Sequence, residues 1–297
     1  MAGRGELTDA AWGRIEPLLP QVDGRGRPWR DHRQVVHGVL WRLRTGAPWR
    51  DLPERYGPWQ TVYERFARWE ADGTWAKLLE HVQVHDDAGG GRVEWIVAVD
   101  STINRAQQHA AGARKRGTQT GDELEDPGRS QAHQALGRSR GGLTIKVHLA
   151  VDGRGLPLSI VLTPGNVNDA TAFAVVLDVV RTPRVGTGRP RTTPDRVLGD
   201  KAYCSRAIRH LLRRRGIAAT IPERRDQVAN RRRRGRFGGR PPAFDRETYR
   251  DRNVVERCFA RLKPFRAIAT RFDKLADRDR AGVVLASLIL WLRETAR

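Results

Sequence analysis

The chain reads as an α/β protein, a mixed five-stranded sheet flanked by helices, preceded by an all-α domain with a helix-turn-helix-like pattern. Three observations predict this. Residues 1 to about 88 space their apolar side chains as helices do; from Val93 onward short apolar runs alternate with helical patterns; and a glycine-rich segment, Asp86 to Gly91, separates the two regimes. The expected organisation is a helical domain over 1–88, a linker at 89–92 and an α/β domain over 93–297.

In the first part, Thr8 is a suitable N-cap for a helix carrying Trp12, Ile15 and Leu19, which Pro20 and the Gly24–Pro28 segment end. A second helix from about Arg33 to Leu43 aligns Val36, Val39, Leu40 and Leu43. After the turn at Gly46-Ala-Pro-Trp49 and a short piece near Leu52–Arg55, a third helix over about Gln60–Glu70 buries Val62, Phe66 and Trp69. Its face bearing Gln60, Thr61, Tyr63 and Arg65 is expected to point outward. A short helix, a tight glycine turn and an outward polar helix match the pattern of helix-turn-helix DNA binders.

In the second part, Val93–Val99 reads as a buried strand ending at Asp100, and residues 104–142, poor in large apolar residues, as a long mobile loop. Leu143–Val151 and Leu156–Thr163 form a hairpin about Asp152-Gly153. A helix over Asp169–Val180, a short strand Arg196–Gly199 ending at Asp200, a helix over Ser205–Arg215 and a strand Ile217–Ile221 follow. A basic stretch over 206–240 leads to a long helix from about Arg246. The last helix, Arg280–Leu292, is apolar nearly all round, as a core helix would be.

Composition narrows the class of partner. Lys and Arg number 55 against 34 Asp and Glu, a net charge of +21. Such a field concentrates polyanions, and no segment has the apolar run that a bilayer span needs. Nucleic acid is therefore favoured over membrane. Two cysteines without CxxC spacing, and an N-terminus lacking a signal peptide's apolar stretch, point to a reducing cytosol. The scattered histidines, His109, His133 and His148 among them, suggest no zinc or catalytic role.

The chemistry resides in acids. Asp100 and Asp200 fall at the carboxyl ends of two strands, where ligands gather in α/β sheets. Neighbouring carboxylates repel unless a cation lies between them, and hard oxygen ligands suit magnesium. Tyr249, Arg252, Glu256 and Lys263 lie at offsets of three, seven and fourteen residues, which share one face at about 3.6 residues per turn. The opposite face, with Val255, Phe259 and Leu262, anchors that helix.

The spacing Tyr249-x2-Arg252-x3-Glu256-x6-Lys263 resembles the signature of DDE transposases of bacterial insertion sequences, and the strand order resembles the ribonuclease-H-like fold. Val99-Asp-Ser101, Gly199-Asp-Lys-Ala-Tyr203, Gly165-Asn-Val-Asn-Asp-Ala170 and Ile268-Ala-Thr-Arg-Phe-Asp-Lys274 are similar to that family as well. So are Leu7-Thr-Asp, Leu18-Leu-Pro20 and Gly46-Ala-Pro-Trp-Arg-Asp-Leu-Pro53 in the first domain. The resemblance implies that Asp100, Asp200 and Glu256 hold two magnesium ions, with manganese as a substitute, for DNA cleavage and strand transfer. It implies that Arg252 and Lys263 grip phosphate, with Tyr249 beside them. The implied partners are double-stranded DNA, as terminal inverted repeats and target, and a second copy of the chain once DNA is bound. The implied location is the bacterial cytoplasm, at the nucleoid. Between Asp200 and Glu256 lie thirteen Arg from Arg206 to Arg240, and the run Arg231, Arg232, Arg233 and Arg234 is expected to contact DNA backbone. A catalytically idle DNA-binding relative and a structure-selective nuclease are the alternatives.

Overall fold

The computed structural model describes residues 5–21, 29–88, 93–112, 134–139, 141–184 and 188–294. The expected linker at 89–92, His133 and the greater part of the expected 104–142 loop (113–133 and residue 140) lie outside the described residues.

Among the described residues, four α-helices form the first part. Helix α1 (Asp9–Ile15) starts at Thr8, whose hydroxyl accepts the Ala11 N–H, and buries Trp12 and Ile15. Helix α2 (His32–Thr45) is capped by Asp31 and stops at Gly46, which takes φ +69°. That glycine is required twice over: an L side chain disfavours this backbone, and a Cβ would crowd Arg266 and Phe272 of the distant C-terminal part. Helix α3 (Trp59–Ala71) buries Val62, Phe66 and Trp69 as its spacing predicts. Helix α4 (Thr74–Ala88) was not separated out by periodicity; it buries Trp75, Leu78, Leu79 and Val82.

The second part carries β1 (Ile96–Ala106), β2 (Gly137–Ser139), β3 (Gly142–Val151), β4 (Pro157–Pro164), β5 (Arg196–Gly199), β6 (Ala218–Thr220) and β7 (Thr270–Arg271). The sheet is mixed: β1 runs antiparallel to β3 and parallel to β5, β3 is antiparallel to β4, and β5 is parallel to β6. Among the described residues it has seven strands instead of the five expected. The two extra strands are short: β2 pairs with β3 beyond the end of β4, and β7 with β1 beyond the end of β5. The sheet therefore stays five strands wide, with helices α5 (Asp169–Val179), α6 (Arg206–Arg214), α9 (Asn253–Leu262), the short α10 (Arg266–Ala269) and α11 (Ala276–Glu294) about it.

Three expectations change in detail. The loop expected from residue 104 begins later, because β1 continues to Ala106 and is followed by a 3-10 turn at Gln108–Gly112. As the central strand, β1 has ladder partners on both edges, and the buried Asn104 amide donates to the Ile268 carbonyl at 2.7 Å, so polar residues are tolerated. The basic stretch 206–240 is ordered as α6, β6, helix α7 (Arg225–Arg233) and a 3-10 turn at Gly235–Gly238. The long helix expected from Arg246 is broken into α8 (Arg246–Arg250) and α9, with Asp251 and Arg252 in a tight turn.

The core does not divide at residue 88. The buried apolar residues of the N-terminal helices form one cluster with those of the sheet and of α11. The Pro157 carbonyl accepts both Gln83 Nε2 of α4, at 3.1 Å, and Trp291 Nε1 of α11, at 2.9 Å. Arg42 of α2 pairs with Asp273 at 2.9 Å, both nearly buried, and Arg280 of α11 pairs with the buried Glu70 of α3. No helix among the described residues is long and apolar enough to cross a membrane.

Candidate active site

Parallel pairing of β1 with β5 sets Val99 beside Gly199, so the next residue on each chain, Asp100 and Asp200, leaves the pair side by side. Asp200 follows β5 directly, as expected, and caps the 3-10 turn Lys201–Tyr203 by accepting the Ala202 N–H at 2.7 Å. Asp100 differs from expectation in lying within β1, not at its end. There its Oδ1 accepts the Ser101 N–H at 2.8 Å. Burial pushes the Asp100 carboxyl up to about 6; the Ser101 N–H and Arg252 oppose this, and Asp200 and Glu256 add to it.

Glu256 stands in the first turn of α9, whose Val254, Val255, Cys258, Phe259 and Leu262 are buried. It meets Asp100 through Arg252 and not directly. The Arg252 guanidinium donates from Nη1 to Asp100 Oδ2 at 3.1 Å and from Nη2 to Glu256 Oε1. Glu256 Oε2 is buried without a hydrogen-bond partner. With Arg252 between the acids, no three Asp, Glu, His or Cys side chains among the described residues are gathered to hold a metal ion. Tyr249, on α8, lies 5.8 Å from the Arg252 guanidinium carbon, and its ring packs against Phe244. Lys263 is exposed at the C-cap of α9.

On the other face of β1 lies a polar layer that sequence reasoning did not assign. Ser101 Oγ donates to Asp169 Oδ1 at 2.8 Å, and Lys146 Nζ reaches the same oxygen at 3.0 Å and the Val167 carbonyl at 2.6 Å. Tyr203 is buried, its hydroxyl near Ser101, Asp100, Asp169 and Asp200; burial first, then these acids, push its pKa up, and Ser101 opposes this. A usable signal was present: Lys146 and His148 alternate with the apolar Ile145, Val147 and Leu149 of β3. Polar residues on a buried strand face mark a polar core.

His148 is fully buried, with Nε2 2.8 Å from Thr163 Oγ1 and Nδ1 without a partner. Burial lowers its pKa to about 4; Asp169 opposes this and Lys146 adds to it. The unfolded chain thus binds the proton first as pH falls, so this group's stabilisation is full above about 6.5 and lost on the way down to about 4. The expected loss is on the order of 3 kcal/mol. Urea unfolding of the wild type and of His148→Leu at pH 7 and pH 4.5 checks this. The stability difference between the two proteins should shift against the wild type at the lower pH, and a pH-independent difference contradicts it.

The remaining expected contacts are dispersed. Arg232, Arg233 and Arg234 are exposed, whereas Arg231 is half-buried and paired through both guanidinium nitrogens with Glu223. Helix α7 buries none of its residues, and hydrogen bonds from Arg224 to Lys201 O (3.2 Å) and from Gln227 to Cys204 O (2.7 Å) tie this arm to the segment after Asp200. A cavity of about 620 Å³ between them is lined by Asp200, Lys201, Ala202, Glu223, Arg224 and Arg225. In the N-terminal part Gln60 is exposed and Thr61 and Tyr63 half-buried. Arg65 is not outward: it is buried, stacked 4.0 Å from the Trp29 ring and 5.5 Å from that of Trp69, with Nη1 2.9 Å from His32 Nδ1.

A mixed sheet in ribonuclease-H-like order, with acids on its two central neighbouring strands and a third on a helix packed against it, defines the class. Residues 91–291 match the family model described as "Transposase DDE domain", and the chain belongs to that family. Residues 7–79 match a second model, "Putative transposase of IS4/5 family". Over 147 residues the chain is 34% identical to the "Putative transposase for insertion sequence element IS402" of Burkholderia cepacia, covering 49% of this chain and 62% of the relative. Over 151 residues it is 30% identical to the "Putative transposase for insertion sequence element IS6501" of Brucella ovis, covering 51% of this chain and all of the relative. A Sinorhizobium fredii protein, "Uncharacterized protein y4sN", is 39% identical over 110 residues, 37% of this chain and 83% of the relative. No solved structure matches.

Proposed function

We propose that the chain binds the terminal inverted repeats of an insertion sequence, cleaves DNA beside them and joins the freed 3′-hydroxyl to target DNA, acting as at least a dimer on DNA in the bacterial cytoplasm. The carrying observation is the register that sets Asp100 beside Asp200, together with the guanidinium that joins Asp100 to Glu256.

The acids suit a divalent cation. Glu256 Oε2 is buried with no partner, and the Asp100 carboxyl is pushed up by burial and by its acidic neighbours; a cation among them relieves both. Asp100, Asp200 and Glu256 would hold magnesium or manganese. When bound, such ions supply Lewis-acid neutralisation of the phosphate and a nucleophilic oxygen at neutral pH. The chain's own groups position the DNA. Lys263 presents an exposed ammonium about two helical turns beyond Glu256, Arg252 can fork onto two phosphate oxygens, and Tyr249 offers a ring and hydroxyl beside it. The layer of Ser101, Asp169 and Lys146 holds β1 from behind, so Asp100 is presented from a fixed strand.

Two basic surfaces complete the reading. Arg232, Arg233 and Arg234 on the arm after Asp200 contact backbone, and Gln60, Thr61 and Tyr63 of α3 contact the duplex. Replacing Arg232, Arg233 and Arg234 by Ala should weaken binding to any duplex and lower the slope of log affinity against log salt by up to about three. A salt titration by fluorescence anisotropy measures this, and an unchanged slope removes the arm from the interface. The function itself is tested by incubating the protein with duplexes ending in the repeats that flank its gene, with and without magnesium. Nicking at the repeat end and joining to a second duplex is expected; cutting without joining, or binding alone, overturns it.

A further inference from the structure

We propose that Arg252 is a gate on the cation site: without DNA its guanidinium stands where a divalent cation would neutralise Asp100 and Glu256, and it must swing away before ions load. This rests on the proposed reading of the three acids as ligands. Arg252 bonds Asp100 Oδ2 at 3.1 Å and Glu256 Oε1 at once, so one monovalent group bridges the acid of a strand and the acid of a helix. The bridge is incomplete. The guanidinium engages one oxygen of each carboxylate and leaves Glu256 Oε2 without a partner, so two acids share a single positive charge.

The location of Arg252 permits that exchange. It lies in the turn between α8 and α9, where the N–H groups of Arg252 and Val255 bond three residues back, to Tyr249 O and Arg252 O. Helix α8 buries none of its residues and Arg252 is only half-buried, so its side chain can leave the acids while Val254 and Val255 stay packed. A divalent ion and a guanidinium compete for the same two carboxylates, because like charges repel across so short a distance. A phosphate arriving over Tyr249 offers the fork a second acceptor pair, so DNA draws Arg252 off the acids as it docks. The protein alone would then hold ions weakly, and premature hydrolysis is suppressed until DNA is in place.

The test is manganese binding to the DNA-free full chain, read from the paramagnetic resonance of free Mn²⁺ at low salt. Arg252→Met keeps the aliphatic stem and should bind Mn²⁺ roughly tenfold or more tightly than wild type. Arg252→Lys, which keeps a cation, should stay close to wild type. Lys263→Met removes a charge from the same face without touching the acids and should gain roughly threefold at most. Equal gains from Arg252→Met and Lys263→Met, or wild-type binding as tight as that of Arg252→Met, overturn the gate. Adding Asp100→Asn to Arg252→Met should abolish the gain. If the tight binding persists in that double variant, the ions sit elsewhere, and the reading of Asp100 as a ligand fails independently of the gate.

Discussion

Cleavage of a repeat-bearing duplex should fall by roughly a thousandfold or more in Asp200→Asn, equivalent to about 4 kcal/mol of lost transition-state stabilisation, while binding to that duplex stays within about threefold. The substitution is clean because the fold role of Asp200 survives it. Its side chain accepts the Ala202 N–H at the start of a 3-10 turn, and asparagine caps as well as aspartate. What disappears is one negative charge next to Asp100. Asp100→Asn keeps the carbonyl that accepts the Ser101 N–H, and Glu256→Gln keeps the packing of α9, since Val255, Cys258, Phe259 and Leu262 carry that helix. All three should be cleavage-dead and folded. Binding should not weaken, because each change removes negative charge from a surface that meets a polyanion. Denaturing gels of a labelled duplex and a mobility shift measure the two quantities. Retained cleavage by Asp200→Asn removes it from the catalytic set.

How much of this was legible in the sequence depended on the kind of signal. The order of strands follows from apolar runs alternating with helical patterns, the side-by-side placement of Asp100 and Asp200 was implied by the resemblance to the ribonuclease-H-like fold, and the structure agrees with both. The extent of β1 was not legible, because a central strand with ladders on both edges tolerates polar residues such as Asn104 that propensity assigns to a loop. Arg65 was misread by type. A charged residue was placed outward, although 65 is three beyond Val62 and four before Trp69 and therefore on the buried side of α3, where two tryptophan rings receive it. The break at Asp251–Arg252 was invisible because no glycine or proline marks it. The bridge by Arg252 depends on side-chain reach across two elements, and no spacing rule encodes that.

Trp291→Ala should destabilise the protein by about 3–5 kcal/mol and do so for the N-terminal helices and the sheet together. The ring is fully buried in α11, and its Nε1 donates to the Pro157 carbonyl at the start of β4. The same carbonyl accepts Gln83 from α4, so removing the indole leaves a cavity where α11, α4 and β4 converge. Two nearby ion pairs, Arg42 with Asp273 and Arg280 with Glu70, join the same parts and are themselves mostly buried on at least one side. Losing either partner of such a pair strands a charge, which makes partial separation of the two parts more costly still. If residue 88 marked a boundary between independent cores, the damage would stay on one side of it. The shared apolar cluster predicts otherwise: urea unfolding of both wild type and Trp291→Ala should follow a single transition, coincident by far-ultraviolet circular dichroism and by tryptophan fluorescence. The nine tryptophans lie mainly in the N-terminal helices, so fluorescence reports chiefly on that part, whereas circular dichroism averages over all of it. Two separated transitions, with only the later one moved by Trp291→Ala, contradict the shared core.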